Sequence, residues 1–183
     1  RNRLHALELL TRLLTSPAVT MPTPTEPGPG QESVWDYPRP PALESEDRRI
    51  RVVFNDVRIA DTTEALRVLE TSHPPAYYVP PADVAMEHLE QESRTTMCEF
   101  KGRAIYYTVT VGDRSSRSAA WAYPRPTDRF ADLKDYITFY ASKVDACYVG
   151  EEPAHAQEGD FYGGWITDDV VGPFKGGPGT MGW

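Results

Sequence analysis

The sequence predicts a mainly β domain, with antiparallel sheets arranged as a sandwich or a partly open barrel and a few short helices. Many short segments in which apolar and polar residues alternate follow one another, and turn residues separate them. Only two segments after residue 34 have helical spacing. A chain of 183 residues suits one such domain with tails, and it is too short for two full domains.

The chain divides by composition into three parts. Residues 1–33 combine leucines at helical spacing, which predict a short amphipathic helix over residues 1–15, with a proline-rich stretch that predicts an extended linker. Residues 34–150 carry the alternating segments and form the predicted domain. Residues 151–183 are rich in glycine and proline and predict a C-terminal arm. We expect the first helix to pack against protein rather than to lie on a membrane.

The first predicted elements of the domain are a hairpin and a helix. The alternating segments 50–54 and 57–60 are separated by an Asn-Asp pair with suitable turn chemistry, which predicts a β-hairpin. Asp61 and Glu64 have the spacing of a capping box, and an apolar stripe follows them. This pattern predicts a helix that ends before His73 and its two prolines.

Further strands follow in the second half of the domain. Residues 77–79 predict a strand, and Asp83 begins a second short helix. Segment 104–111 predicts a strand with two different faces. One is apolar, and the other carries alanine, tyrosine and threonine side chains that meet water or a polar cavity. Two more strands are predicted at residues 119–123 and 144–148.

Charge and motif content exclude several classes of function. A formal net charge of −8 argues against a surface that neutralises a nucleic-acid backbone, so we expect no nucleic-acid partner. No apolar run suits a membrane span and no secretory leader is visible, which predicts a soluble cytoplasmic protein without a membrane partner. Neither cysteine belongs to a CxxC pair, and no cofactor motif is present. We therefore expect neither a metal nor a cofactor.

Polar residues among aromatic side chains mark the candidate site. Glu70 lies at the predicted helix end, where the helix dipole disfavours a carboxylate, so a compensating cation is expected nearby. Three basic residues have apolar or aromatic neighbours in sequence: Arg58, Lys101 and Lys143. Gly102 is expected to aim Lys101 toward Tyr106 through a bulge or a close backbone approach. A solvated Glu70 and an exposed Lys101 are the ordinary alternatives.

Aromatic residues add to this candidate site: Trp121, Tyr123, Tyr136 and Tyr140. Together with the tyrosine and threonine face of segment 104–111 they suit a pocket with apolar walls and a few converging polar groups, although the same rings also suit an ordinary core. Cys98 is a candidate nucleophile, with a small buried thiol as the alternative.

A series of motifs runs in order along the domain: Arg51-Val52-Val53-Phe54-Asn55, Leu69-Glu70, His73-Pro74-Pro75, Tyr77-Tyr78-Val79-Pro80, Cys98-x-x-Lys101-Gly102, Trp121-x-Tyr123 and Phe139-Tyr140. Together they resemble the family called domain of unknown function 427. The resemblance covers about residues 34–150. The ending, residues 163–183, is similar to an extension seen in actinobacterial members.

The resemblance implies a β-tent, or Mss4-like, fold in which two small antiparallel sheets meet at an angle. Relatives with that fold commonly hold the sheets together with cysteine-bound zinc. This chain lacks the paired cysteines, so a metal-free hydrophobic junction is expected instead. The family also carries a nucleotidyltransferase-like label. That chemistry needs a pair of metal-binding carboxylates, and this sequence shows no such pair.

Some β-tent relatives bind ligands in an aromatic cage, and by analogy of fold we expect one cavity to gather the candidate residues. Those implied by the analogy are Glu70, Tyr78, Lys101, Tyr106, Trp121 and Tyr123. Tyr136 is expected as a further wall of the same cavity.

Three functions are compatible with these patterns. The leading hypothesis is an intracellular domain that binds a small, partly apolar molecule between two sheets, with Glu70 and Lys101 orienting its polar end. The second is an enzyme, a transferase or hydrolase, that uses Lys101 or Cys98 as nucleophile and Glu70 or Tyr106 as proton carrier. The third is an assembly module that forms a homodimer through its tails.

Overall fold

The structure, a computed structural model, describes residues 20–183. The helix predicted over residues 1–15 lies outside the described residues. Residues 20–28 of the predicted linker contain neither helix nor strand, and Thr25 donates its backbone N–H to the Gly172 carbonyl at 2.8 Å. The linker therefore lies along the C-terminal part of the chain.

Short strands make up most of the described chain. They are β1 (Glu32–Ser33), β2 (Ala42–Glu46), β3 (Ile50–Phe54), β4 (Val57–Thr62), β5 (Ala65–Leu69), β6 (Ala76–Tyr78), β7 (Leu89–Cys98), β8 (Gly102–Val111), β9 (Arg114–Pro126), β10 (Ile137–Phe139), β11 (Ala146–Val149), β12 (Glu152–Pro153), β13 (His155–Ala156), β14 (Trp165–Ile166) and β15 (Val170–Val171).

The helices are short 3₁₀ segments: Pro81–Asp83, Met86–His88, Asp128–Leu133 and Ala141–Lys143. Within residues 20–183 no helix has the length and apolar character needed to cross a membrane.

Three antiparallel sheets form the framework. Their strand orders are β10-β9-β8-β7, β12-β11-β3-β4 and β2-β5-β6. Two small pairs lie outside these three sheets: β1 with β15, which joins the N-terminal segment to the C-terminal residues, and β13 with β14, which forms within the C-terminal residues. None of the sheets in the described range closes into a barrel. The predicted mainly β fold class is confirmed, and the arrangement is consistent with a β-tent domain.

The first hairpin and the two-faced strand are confirmed. Asn55 and Asp56 adopt φ angles of 48° and 60° between β3 and β4, the left-handed conformation of a tight hairpin turn. In β8 the odd-numbered positions, such as Val109, face one hydrophobic cluster, while Ala104 and Tyr106 face another. This strand separates the two main clusters of the core.

The prediction of a helix after Asp61 is wrong, because this segment forms strands. β4 continues to Thr62, whose hydroxyl oxygen accepts the Glu64 backbone N–H at 2.9 Å and closes a turn into β5. β5 then pairs with β2 on one edge and β6 on the other. Hydrogen bonding on both edges outweighs a local capping signal, since tertiary context overrides weak helix propensity. Glu70 therefore follows a strand, and the helix-dipole argument does not apply to it.

The second predicted helix is also corrected in detail. Asp83 ends a 3₁₀ segment instead of beginning a helix. Its carboxylate accepts a hydrogen bond from the Thr62 hydroxyl at 2.6 Å, which holds the segment against the end of β4.

The residues after 150 pack against the rest of the chain. The Trp165 ring is fully buried, lies 5.2 Å from the Tyr77 ring, and donates its indole N–H to the Phe139 carbonyl at 2.9 Å. Gly163 lies directly against the Trp121 ring. The C-terminal arm thus packs against residues of its own chain. Assembly through this tail was expected because the arm had no visible partner in the sequence, and this reason no longer applies. The homodimer stays a prediction.

Candidate functional site

A cavity of about 360 Å³ lies between the three-stranded sheet and the sheet that contains β7, β8 and β9. The turn between β7 and β8 and the segment around residues 157–164 complete its walls. The position follows from β8 and β9, which send Tyr106 and Trp121 to the face that meets β5 and β6.

Most of the candidate residues line this cavity: Glu70, Tyr78, Cys98, Lys101, Tyr106, Trp121 and Tyr123. Tyr136 is not brought to it. Its backbone N–H donates to the Leu133 carbonyl at 3.0 Å in the turn before β10, and its ring packs against the aromatic cluster without lining the cavity. Tyr140, the other aromatic residue of that stretch, does line it.

Buried aromatic rings form the main wall. The Trp121 ring centroid lies 4.4 Å from that of Tyr140 and 6.5 Å from that of Tyr106, and the Tyr78 and Tyr123 centroids lie 6.4 Å apart. Burial raises the pKa of the Tyr78 and Tyr123 hydroxyls, so both stay protonated at neutral pH. The rings therefore offer apolar surface together with neutral hydroxyl groups.

Two tyrosine hydroxyls at this wall are already engaged. Tyr140 donates its hydroxyl hydrogen to the Phe161 carbonyl at 2.9 Å, which ties the wall to the C-terminal arm. The hydroxyls of Tyr106 and Thr96 share a hydrogen bond of 2.9 Å. The role of Tyr106 as a proton carrier stays a prediction, and its hydroxyl is hydrogen-bonded to that of Thr96.

Glu70 finds its cation in a residue that the sequence did not single out. The Glu70 carboxylate lies 3.1 Å from the Arg39 guanidinium, and its side chain is 16 % exposed. Of the three expected cations, Arg58 pairs with Asp61 at 2.7 Å, and Lys143 donates to the Ser118 carbonyl at 3.2 Å. The expectation that Arg58, Lys101 or Lys143 would pair with Glu70 is therefore wrong.

Lys101 is buried at the turn between β7 and β8. Only 8 % of the residue is exposed, and within residues 20–183 its ammonium group forms neither an ion pair nor a hydrogen bond. Its Nζ lies 5.9 Å from the centroid of the Tyr123 ring. The turn requires Gly102, which has a φ of 103° and approaches the Arg125 carbonyl so closely that a Cβ would lie 3.1 Å away.

His73 lines the cavity, although its sequence context, two prolines after an apolar stripe, indicates only the end of a helix. Its Nδ1 lies 2.9 Å from the Thr71 carbonyl oxygen, which only accepts, so Nδ1 carries the hydrogen. Nε2 is buried and has no hydrogen-bond partner within the described range. Burial lowers the pKa of the imidazole, Lys175 and Arg39 reinforce this, and Glu70 opposes it. The neutral ring thus keeps a lone pair on Nε2.

The C-terminal arm also supplies residues that the sequence analysis missed. A Cβ on Gly164 would lie 2.5 Å from the Pro74 carbonyl oxygen, so only glycine fits there. The Gly164 N–H donates to the Gln157 side-chain carbonyl at 3.0 Å, and the Gln157 amide donates to the Lys175 carbonyl at 2.6 Å. The adjacent pair of glycines before Trp165 is the signal that this segment must approach other atoms closely.

The cysteines and the potential metal ligands add little to the site. Cys98 is partly exposed and lines the cavity, whereas Cys147 lies in the other hydrophobic cluster, where burial raises its thiol pKa. Residues 20–183 contain no group of three or more His, Cys, Asp or Glu side chains arranged to hold a metal ion.

A model of a known protein family matches residues 42–150 of the chain. The chain belongs to the DUF427 family. The family is described as a domain of unknown function. No curated protein gives a significant match. The predicted resemblance to this family is confirmed, and the actinobacterial type stays a prediction.

In this DUF427 protein the cavity is built only partly by the matched region. The aromatic wall, Glu70, His73 and Lys101 all lie within residues 42–150. Six of the lining residues lie outside the match: Arg39, Gln157, Phe161, Tyr162, Gly163 and Gly164. The DUF427 region thus provides the aromatic wall of the cavity, and the flanking segments complete its lining.

Proposed function

We propose that the protein binds a small, partly apolar molecule in the cavity between the two sheets. The observation that carries this proposal is an aromatic-walled space of about 360 Å³ into which a few polar side chains converge. Cavities that bind small molecules typically measure about 300–1,000 Å³ and combine apolar walls with few polar groups.

The walls suit a flat apolar group. Trp121 is only 7 % exposed, and its ring is flanked by Tyr106 and Tyr140. Aromatic rings gain from offset or edge contacts with a further ring, about 0.5–1.5 kcal/mol beyond the area that they bury. A planar ligand ring is therefore favoured over a branched aliphatic one.

The polar end of the ligand would meet Glu70 and Lys101. Glu70 is held by Arg39 at 3.1 Å, so it offers a positioned carboxylate with one cation beside it. Lys101 offers three N–H donors without a protein acceptor in residues 20–183. Together the two residues supply opposite charges at separate positions, which favours one orientation of the ligand.

The test is an NMR titration of the ¹⁵N-labelled protein with a panel of small aromatic and alicyclic compounds. Binding in the cavity is expected to shift the Trp121 indole N–H resonance. The resonance of Trp35, which lies in another cluster and donates to the Pro173 carbonyl, should stay unchanged. The proposal is refuted if no member of the panel shifts the Trp121 resonance at millimolar concentration.

Matched variants locate the binding. Trp121→Phe removes part of the wall and is expected to weaken a hit at least about tenfold, or about 1.4 kcal/mol. Trp35→Phe changes the same residue type outside the cavity and is expected to leave the affinity unchanged. Equal loss in both variants would show that the compounds act on stability and not at the cavity.

An enzyme that uses the same cavity is the second candidate, and His73 favours it. A neutral imidazole with an unpartnered Nε2 is the state that a general base requires, and Thr71 orients the ring through Nδ1. Glu70, held in an ion pair, is less suited to this role. With Cys98 lining the same cavity, acyl transfer is the reaction class to test.

Hydrolysis of p-nitrophenyl acetate provides the assay. His73→Asn keeps a donor for the Thr71 carbonyl and is expected to lower kcat/KM about a hundredfold or more. His155→Asn, at an exposed position of β13, is the matched control and should leave the rate unchanged. Equal rates in the wild type and the His73 variant would refute the enzymatic reading.

A further inference from the structure

Resting on the proposed small-molecule binding, we propose that the ligand carries a single negative charge, a carboxylate, and that this group pairs with the Lys101 ammonium. The proposal names the chemical class of the ligand, which the shape and aromatic walls of the cavity leave open.

Lys101 is a buried residue without a counter-ion in the described part of the chain. The residue is 8 % exposed, its Nζ lies 5.9 Å from the centroid of the Tyr123 ring, and within the described range the ammonium group has no ion-pair or hydrogen-bond partner. Lysine is rarely buried unless it is paired, because removing a charge from water is costly. An anion that enters the cavity with the ligand supplies the missing partner.

The other charges around the cavity leave the Lys101 charge uncompensated. Arg39 and Glu70 are paired with each other at 3.1 Å. His73 is kept neutral chiefly by its burial. Glu99 lines the cavity but is exposed, so water screens its charge. In the buried part of the cavity the unmatched charge is therefore positive.

The size of that charge selects among anions. Lys101 brings one positive charge to the lining, and the guanidinium of Arg39 is already occupied by Glu70. Lys175, which lies beside the Tyr162 ring, donates to the Trp183 carbonyl at 2.8 Å. A carboxylate matches one ammonium group in charge. A phosphate would bring about two negative charges at neutral pH, and it would need a second free cation.

Positively charged ligands are the opposing class. Aromatic cavities often bind ammonium groups through cation–π contacts, and the rings around Trp121 resemble such a surface. Lys101 argues against this class, because two ammonium groups in one small cavity repel each other strongly at low dielectric. The same lysine thus both attracts a carboxylate and excludes an amine.

Three probes with one ring and similar length separate these classes: phenylacetate, phenylacetamide and 2-phenylethylamine. Titrations followed by the Trp121 indole resonance are expected to give the tightest binding for phenylacetate. The amide is expected to bind at least about tenfold more weakly, and the amine more weakly still. Equal binding of phenylacetate and phenylacetamide, or tightest binding of the amine, would overturn the proposal.

Lys101→Met keeps the length of the side chain and removes its charge. In this variant phenylacetate is expected to lose its advantage over the amide, while amide binding stays the same. Lys134→Met, at an exposed position, is the matched control and should keep the advantage. An advantage retained in Lys101→Met refutes the carboxylate proposal alone. If none of the probes shifts the Trp121 resonance, the proposed binding function fails for aromatic ligands of this size.

Discussion

Replacing Gly163 with alanine tests how tightly the C-terminal arm closes the cavity. A Cβ at this position would lie 2.8 Å from Trp121 Cζ3 and 3.1 Å from Cζ2, and closer still to Cη2. Carbon atoms pack at about 3.5–4.0 Å, so the overlap with Cζ3 alone is about 0.7 Å. The ring cannot move away easily, because Tyr140 and Tyr106 lie against it and Trp121 is 7 % exposed.

The expected loss of stability in Gly163→Ala, measured as the free energy of unfolding, follows from this overlap. Adding a carbon to a well-packed region typically costs about 1–3 kcal/mol. For a chain of this size each kcal/mol lowers Tm by about 2–4 °C, so Tm should fall by roughly 2–12 °C. The φ angle of Gly163 lies outside the left-handed region, so the loss is steric and not caused by backbone strain.

Differential scanning calorimetry and urea denaturation provide the measurement, and two further variants make it specific. Gly28→Ala adds the same methyl group next to the flexible end of Gln31 and should change stability by less than about 0.5 kcal/mol. Trp121→Phe removes the ring atoms that the new methyl group of Gly163→Ala would meet. The double variant should therefore lose less stability than the sum of the losses in the two single variants.

Two results would refute this reasoning. One is a Gly163→Ala protein that is as stable as the wild type and has an unchanged Trp121 indole resonance. The other is strict additivity with Trp121→Phe, since independent effects would mean that the methyl group does not meet the ring.

Three further predictions concern the cavity. Lys101→Met should leave the free energy of unfolding unchanged within about 0.5 kcal/mol, because within the described residues Lys101 forms no ion pair or hydrogen bond that the substitution would remove; a clearly lower stability in urea denaturation would contradict this. Because the folded-state pKa of His73 is lowered, its contribution to stability is fully present above the unfolded pKa of about 6.5 and decreases as the pH falls below that value. Glu70, Arg39, Lys175 and the Tyr162 ring face this histidine. Urea denaturation between pH 7.5 and 5 should therefore show that the free energy of unfolding decreases as the pH falls. This dependence on pH should be weaker in His73→Asn and unchanged in His155→Asn. The same dependence in all three proteins would rule out His73 as its source. Tyr140→Phe should lose about 1 kcal/mol with its hydrogen bond to the Phe161 carbonyl, whereas Tyr136→Phe should lose less, and equal values by calorimetry would contradict the difference.

Local patterns predicted the strands whose signals are short-range. The Asn55-Asp56 turn and the alternation in β8 depend on neighbouring residues alone, and both are confirmed. The sequence of β5 predicts a helix because its apolar residues fit the helical period as well as the alternation of a strand. Its strand character comes from partners on β2 and β6, such as Leu43 opposite Val68, which no local pattern shows.

The candidate site was predictable where its residues lie on the sheets. Gly102 makes the expected close backbone approach in the turn after Lys101, and the ammonium group lies over the Tyr123 ring, whereas the sequence pattern predicted the side of Tyr106. Arg39 and the arm residues reach the cavity only because the chain returns to it from distant positions in sequence. His73 was interpreted through the prolines that follow it, and its burial became visible only in the structure.

Six of the residues that line the cavity lie outside residues 42–150, so its lining depends on segments beyond the matched sheets. A chain with the same aromatic wall and another ending would enclose a cavity of different shape, lined by side chains other than Tyr162 and Gln157. Substitutions confined to these segments would therefore reshape the cavity and leave the pairing of the three sheets intact.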